Sequence, residues 1–171
     1  MAVLKIVTIP HPVLREKCKL VTRIDEKLLK IAQDMLETMY KAPGVGLAAN
    51  QVGLNIQLAV IDATRDPKEY GKNHIILFNP KLLEKNGTKT NDEGCLSIPG
   101  VYEQVTRAAR VKVSYLNEKG EEKIIETEGL LAQALQHEID HLNGKLYIDH
   151  LTSLKRSLVK KKYKKLQSHE K

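Results

Sequence analysis

The sequence predicts an α+β protein: antiparallel or mixed sheets packed around one central helix, with a further helix at the C-terminal end. Three observations predict it. Apolar residues recur at helical spacing near both ends of the chain, over 26–41 and 129–142. Between them lie short runs that are either continuously apolar or alternate apolar and polar, as strands do. No strand–helix–strand alternation runs through the middle, so a wound parallel sheet is not expected. A chain of 171 residues suits one domain with a hydrophobic core, and one Phe and no Trp leave that core to Leu, Ile, Val and Ala.

Asp25 is placed to cap a helix that runs to about Lys41, with Leu28, Ala32, Met35, Leu36 and Met39 on one face and Pro43-Gly44 as its stop. Glycines and small residues fill 44–53. Leu58-Ala59-Val60-Ile61 reads as a buried strand, and Ile75-Ile76-Leu77-Phe78 as another closed by Asn79-Pro80. Residues 81–90 read as a strand with a turn at Asn86-Gly87. Val101–Thr106 and Val111–Leu116 alternate as half-buried strands. Asn117-Glu118-Lys119-Gly120 turns the chain into a strand over Lys123–Thr127. Gly129–Leu142 is an almost wholly apolar helix ended by Asn143-Gly144. A last helix starts at Thr152 or Ser153, with Leu154, Leu158 and Leu166 expected on its buried side.

The apolar helix carries His137-Glu138-Ile139-Asp140-His141. Residues four apart on an α-helix sit about 40° apart around the axis and about 6 Å apart along it, so two imidazoles there can hold one ion. Glu138, beside the first, is placed to exchange a proton with an ion-bound water. The central helix is thus read as metal-binding, since a buried helix must satisfy such groups. A reactive metal wants three protein ligands and an open position. The longer H-E-x-x-H-x-x-G-x-x-H template fails because Tyr147 stands where the last His belongs, His150 comes three residues late, and Glu170 lies in a cationic tail. Upstream, Cys95 stands in Glu93-Gly94-Cys95-Leu96-Ser97, read as a loop between strands. It is either the third ligand or a small buried hydrophobe. Cys18, between two lysines, reads as structural or exposed.

Gly44-Val45-Gly46-Leu47-Ala48-Ala49 matches G-x-G-x-x-A, but it follows a helix and precedes a strand, the reverse of a dinucleotide site. It reads instead as backbone that comes close to a ligand. Gln51 either offers its amide there or bonds its own backbone.

Residues 155–171 hold eight basic residues and one acidic residue, and so carry the whole net charge of +7. The chain divides into a neutral body, 1–151, and a basic helix or tail, 152–171, of the same domain. Such an arm suits a polyanion, RNA above all, or merely solvates the end. No apolar run approaches the ~20 residues that span a bilayer, and the start lacks the marks of a signal peptide. A cytoplasmic setting without membrane contact is expected.

Three segments then appear together in order: Gly44-Val45-Gly46-Leu47-Ala48-Ala49-Asn50-Gln51, Glu93-Gly94-Cys95-Leu96-Ser97 and Gln136-His137-Glu138-Ile139-Asp140-His141. From about Ile6 to about Leu154 the chain resembles the peptide deformylase family, and Ile9-Pro10-His11-Pro12-Val13-Leu14-Arg15 fits that family's start. The resemblance implies hydrolysis of the formyl group from formyl-methionine at the N-terminus of nascent polypeptides, releasing formate. It implies Cys95, His137 and His141 as ligands of one divalent ion, Fe(II) physiologically, with Zn, Ni or Co able to replace it. Glu138 would move the proton, and the Gln51 amide and Leu96 N–H would meet the oxyanion. Val45, Leu130 and Ala134, with the ring of His137, would line the methionine pocket. The backbone at Gly46 and Gly94 would lie against the peptide. It also implies a monomer that docks on the ribosome through residues 152–171. Gln133 and Tyr102 depart from the usual apolar and basic residues at their positions. Two rival readings remain: a zinc peptidase using the same helix with another third ligand, and a non-catalytic RNA-binding module with a structural metal.

Overall fold

The computed structural model describes residues 2–64 and 66–169. Helix α1, Glu26–Lys41, begins where Asp25 accepts a hydrogen bond from the Leu28 N–H. Strands β1 (Gly46–Ala48), β2 (Leu58–Ile61), β3 (Ile75–Asn86), β6 (Arg110–Leu116) and β7 (Glu122–Glu128) form one antiparallel sheet in the order β1-β2-β3-β6-β7. Strands β4 (Lys89–Cys95) and β5 (Ile98–Arg107) form a separate hairpin. Helix α2 spans Gly129–Leu142 and α3 spans Ser153–His169. Residues 170 and 171 of the basic segment lie outside the described residues.

The large sheet lies between α1 and α2. Leu58 and Val60 of β2 pack with Ala32, Met35, Leu36 and Met39 of α1. Ile61 packs with Ala132, Leu135 and Ile139 of α2. A strand covered on both faces has no polar side, which is why Leu58–Ile61 reads as a continuous apolar run. A third cluster joins Ile98, Val101 and Val105 of β5 to Leu146, Tyr147 and Ile148 and to Val159 and Tyr163 of α3.

The expected α+β class and central helix are what the structure holds, with four local corrections. Strand β3 does not close at Asn79-Pro80 but continues to Asn86. Asn79 takes a left-handed φ of 51° and its side chain bonds both the N–H and the C=O of Val21. Pro80, which has no N–H to give, falls where the register with β6 shifts. The glycine-rich segment contains a strand, β1. Cys95 is not in a loop; it ends β4, and only Leu96-Ser97 turn the chain into β5. Finally, α3 buries Val159 and Tyr163, whereas Leu154 and Leu158 stay 70% and 56% exposed. Leu166 does pack on the third cluster. Both stripes have helical spacing; the one that meets β5 is the one that is buried. Cys18 is buried, the structural alternative of its two readings.

Asp149 ties the stretch after α2 to the N-terminal segment, with its carboxylate 2.6 Å from Arg15 and accepting the Leu146 N–H. Burial would raise its pKa, but these bonds to Arg15 and Leu146 hold it below the usual carboxylate range. A group depressed in the folded state adds stability above its unfolded pKa and loses it as pH falls. Asp149→Asn should cost up to about 1 kcal/mol at pH 7, because the pair is partly exposed. Denaturant melts should show the gap to wild type closing as pH drops below about 4.

Candidate metal centre

Three remote segments meet at one cleft of about 500 Å³. Helix α2 presents His137 and His141 on one face, as the four-residue spacing requires. The β4–β5 hairpin brings Cys95 opposite them. Cys95 Sγ lies 3.3 Å from His141 Nε2, which lies 3.1 Å from His137 Nε2. All three donor atoms fall within 4.8 Å of one another. Nitrogen and sulfur donors held 2.0–2.3 Å from one tetrahedral ion stand roughly 3.3–3.8 Å apart, so this set fits a divalent ion. The electrostatics agree. Burial lowers both imidazoles, but Glu138, Cys95 and Glu93 draw His137 well above its ordinary pKa. His141, buried and facing that charge, is driven down. The two ring nitrogens face each other across the space a cation would take.

Behind the donors lies a network with no expectation attached to it. Glu93 Oε1 accepts from His137 Nδ1 at 2.8 Å, which leaves Nε2 free to ligate. Arg107 clamps the same carboxylate from Nε at 2.6 Å and Nη2 at 3.0 Å, and its Nη1 reaches Asp140 at 2.9 Å. Burial would raise Glu93, but His137 and Arg107 hold it ionised, with a pKa of about 2. His150, excluded as a ligand, bonds Asp140 at 2.7 Å instead. Glu93 stands within the quoted cysteine motif, but Arg107 carried no signal. The partnership depends on how two strands align. Asn50, also missed, donates to the His141 carbonyl at 2.5 Å. Gln57 and the Cys18 N–H take the Leu142 carbonyl, so the end of α2 is capped by the N-terminal half of the chain.

Glu138 is buried against β1, and its Oε1 has no partner among the described residues. Burial pushes its pKa up to about 7. A Cβ on Gly46 would sit 2.5 Å from Glu138 Oε2, so the close approach read from the glycines is to this carboxylate. Gln51 bonds nearby backbone, one of its two open readings. Its Oε1 accepts the Ala48 N–H, while its Nε2 donates to Ser97 Oγ at 3.0 Å and faces Cys95 Sγ at 3.5 Å. Val45, Gly46, Gly94, Leu96, Leu130 and Ala134 all line the cleft beside Cys95, His137 and Glu138. Gln133 and Tyr102 line it too. His141 sits beneath, fully buried.

A helix-borne histidine pair joined by a thiol, beside a buried carboxylate at the floor of one cleft, defines a metal-dependent hydrolase. The family model described as polypeptide deformylase matches residues 3–157. The peptide deformylase of Syntrophobacter fumaroxidans is 50% identical over 165 residues, 96% of both chains. That of Agrobacterium fabrum is 46% identical over 166 residues, again 96% of both. The crystal structure of a peptide deformylase from Legionella pneumophila superposes with a TM-score of 0.92 at 44% identity, covering 99% of this chain and 98% of that one. The chain belongs to the polypeptide deformylase family.

Arg107→Ala would leave Glu93 buried with half its compensation gone. Breaking a buried pair in this way costs ~3–5 kcal/mol. Calorimetry should record a melting temperature lower by roughly 10 °C.

Proposed function

We propose that the chain removes the formyl group from the N-terminal formyl-methionine of nascent polypeptides, as a peptide deformylase with Cys95, His137 and His141 as its metal ligands. The observation that carries this reading is the meeting of Cys95 with the two α2 histidines beside a buried carboxylate with a free oxygen. The peptidase alternative leaves Cys95 idle, yet Cys95 stands among the donors. The structural-metal alternative needs a fourth ligand, and among the described residues the group has three. We take Fe(II) as the physiological ion, with Zn, Ni or Co as replacements, in a cytoplasm that keeps the thiol reduced.

A divalent ion held there would acidify a water so that hydroxide is available near neutral pH. The residues do the rest. Glu138 accepts the proton of the attacking water and delivers it to the amine nitrogen as the carbon–nitrogen bond breaks, leaving formate and a free amino terminus. Its elevated pKa suits a group that must take and return a proton. The Gln51 amide, whose protons point to Ser97 Oγ and Cys95 Sγ, would turn the one facing the sulfur to the formyl oxygen, and the Leu96 N–H supplies another donor. Val45, Leu130 and Ala134 receive the methionine side chain. The Gly46 and Gly94 backbones flank the extended peptide.

Metal-loaded enzyme should release formate from a formyl-Met peptide. Cys95→Ala should lose both metal and turnover. Glu138→Ala should keep its metal, measured by atomic absorption, and lose activity by a factor of about 10³. Activity within tenfold of wild type in that variant refutes the mechanism.

The basic arm, in this reading, docks a monomeric enzyme on the ribosome. Removing residues 152–171 is a poor test, because α3 buries Val159 and Tyr163 against β5. Lys161, Lys164 and Lys165 are exposed, and replacing them with Glu leaves that packing in place. The triple variant should stop co-sedimenting with ribosomes at low salt, where the wild type binds and is released steeply as salt rises.

A further inference from the structure

Gln51 lines the cleft, whereas Ser97 is fully buried behind it, and the two side chains meet. A carboxamide has an oxygen that only accepts and a nitrogen that only donates, and its two ends differ little in shape. Left free, it could turn either end to the cleft. Two contacts decide which. The Ala48 N–H, a donor alone, holds Oε1 at 3.0 Å. Ser97 Oγ takes one Nε2 proton at 3.0 Å. With both in place the plane of the amide is fixed. The second Nε2 proton then looks toward Cys95 Sγ across 3.5 Å, the longest of the three contacts and the one given up at least cost. The backbones beneath are held by a segment outside the three motifs. The Val7 N–H bonds the Gln51 carbonyl at 2.7 Å, and two residues on the Ile9 N–H bonds the Ser97 carbonyl at 3.0 Å. Ser97 also gives its own N–H to Cys95 Sγ at 3.4 Å. One residue thus sets both the amide and the thiol, by its hydroxyl and its backbone.

We propose that Ser97 is a positioning residue for formyl hydrolysis: its hydroxyl holds the Gln51 amide so that the free proton is offered to the formyl oxygen as negative charge develops there. The proposal rests on the deformylase reading and deepens it. A donor fixed before the charge appears stabilises the transition state more than one that must first be turned toward it. Ser97 lies behind the cleft wall, so it acts through Gln51 and adds nothing to the hold on the peptide. Removing the hydroxyl should therefore slow turnover, leave substrate binding alone, and matter only while the Gln51 amide is present.

The test is a double-mutant cycle on metal-loaded enzyme, with kcat and KM for formate release from a formyl-Met peptide and metal content by atomic absorption. Gln51→Ala should lower kcat by about 10²-fold, as loss of one oxyanion donor does. Ser97→Ala should keep its metal, lower kcat by roughly five- to tenfold, the worth of one hydrogen bond, and hold KM within about twofold of wild type. The double variant Gln51→Ala/Ser97→Ala should fall no more than about twofold below Gln51→Ala, because the serine has nothing left to aim. A double variant slowed by the product of the two single effects overturns the proposal, since Ser97 then acts independently of Gln51. So does a Ser97→Ala enzyme that loses its metal, raises KM with kcat unchanged, or turns over within about twofold of wild type. Each of these leaves the deformylase reading intact. No formate from any formyl peptide with metal-loaded wild type overturns both.

Discussion

One buried carboxylate holds the centre in order. Glu93 takes the Nδ1 proton of His137 on one oxygen and the fork of Arg107 on both. Neither partner alone would suffice. A carboxylate taken out of water needs full compensation, and Arg107 supplies the charge while His137 supplies a third hydrogen bond. In return the imidazole is fixed in a single tautomer, its Nε2 turned toward Cys95 and His141. The same contact joins β4 and β5 to α2. Arg107 extends the tie to Asp140, one residue before the second histidine.

The helix that carries the histidines is held from its other end by the first third of the chain. Asn50, Gln57 and the Cys18 N–H take the carbonyls of His141 and Leu142, groups that a helix cannot satisfy for itself. Asn50 adjoins Gln51, whose amide faces Cys95. The glycine-rich segment therefore acts twice. It fastens the end of α2, and it slides beneath Glu138, where any side chain at position 46 would collide with the carboxylate.

What the sequence reveals of this site follows from how far apart the partners lie. His137, Glu138 and His141 share one helix, so their relation is fixed by helical geometry and could be read directly. The strands buried on both faces and the caps of α1 and α2 are equally local signals. Cys95 stayed open as a ligand because its place depends on how a hairpin packs against a helix. Arg107 was invisible for a stronger reason. It pairs in register with Lys89, and it reaches Glu93 only because the long side chain runs back along the strand. On α3 two apolar stripes competed, and helical periodicity cannot say which one β5 covers. Asn79-Pro80 looked like a stop because a proline usually ends a ladder. A bulge, with the Asn79 side chain bonding Val21, let β3 continue.

Charge is divided within the molecule in a way that serves the centre. The lysines are concentrated on α3, and none among the described residues reaches the cleft. A divalent cation held, as proposed, by one thiolate and two neutral imidazoles would keep a net positive charge of one. Basic side chains around it would oppose its binding, whereas carboxylates at 92, 93 and 138 favour it. Glu93 and Glu138 work at different ranges: the first is pinned in ionised form by Arg107, the second is kept near neutrality in pKa by burial. Two carboxylates a few residues from the same donors thus differ in chemistry because one has an arginine and the other has only β1 against it. That contrast, fixed charge behind the donors and, in the proposed mechanism, a movable proton in front, is what a hydrolytic centre needs from its surroundings.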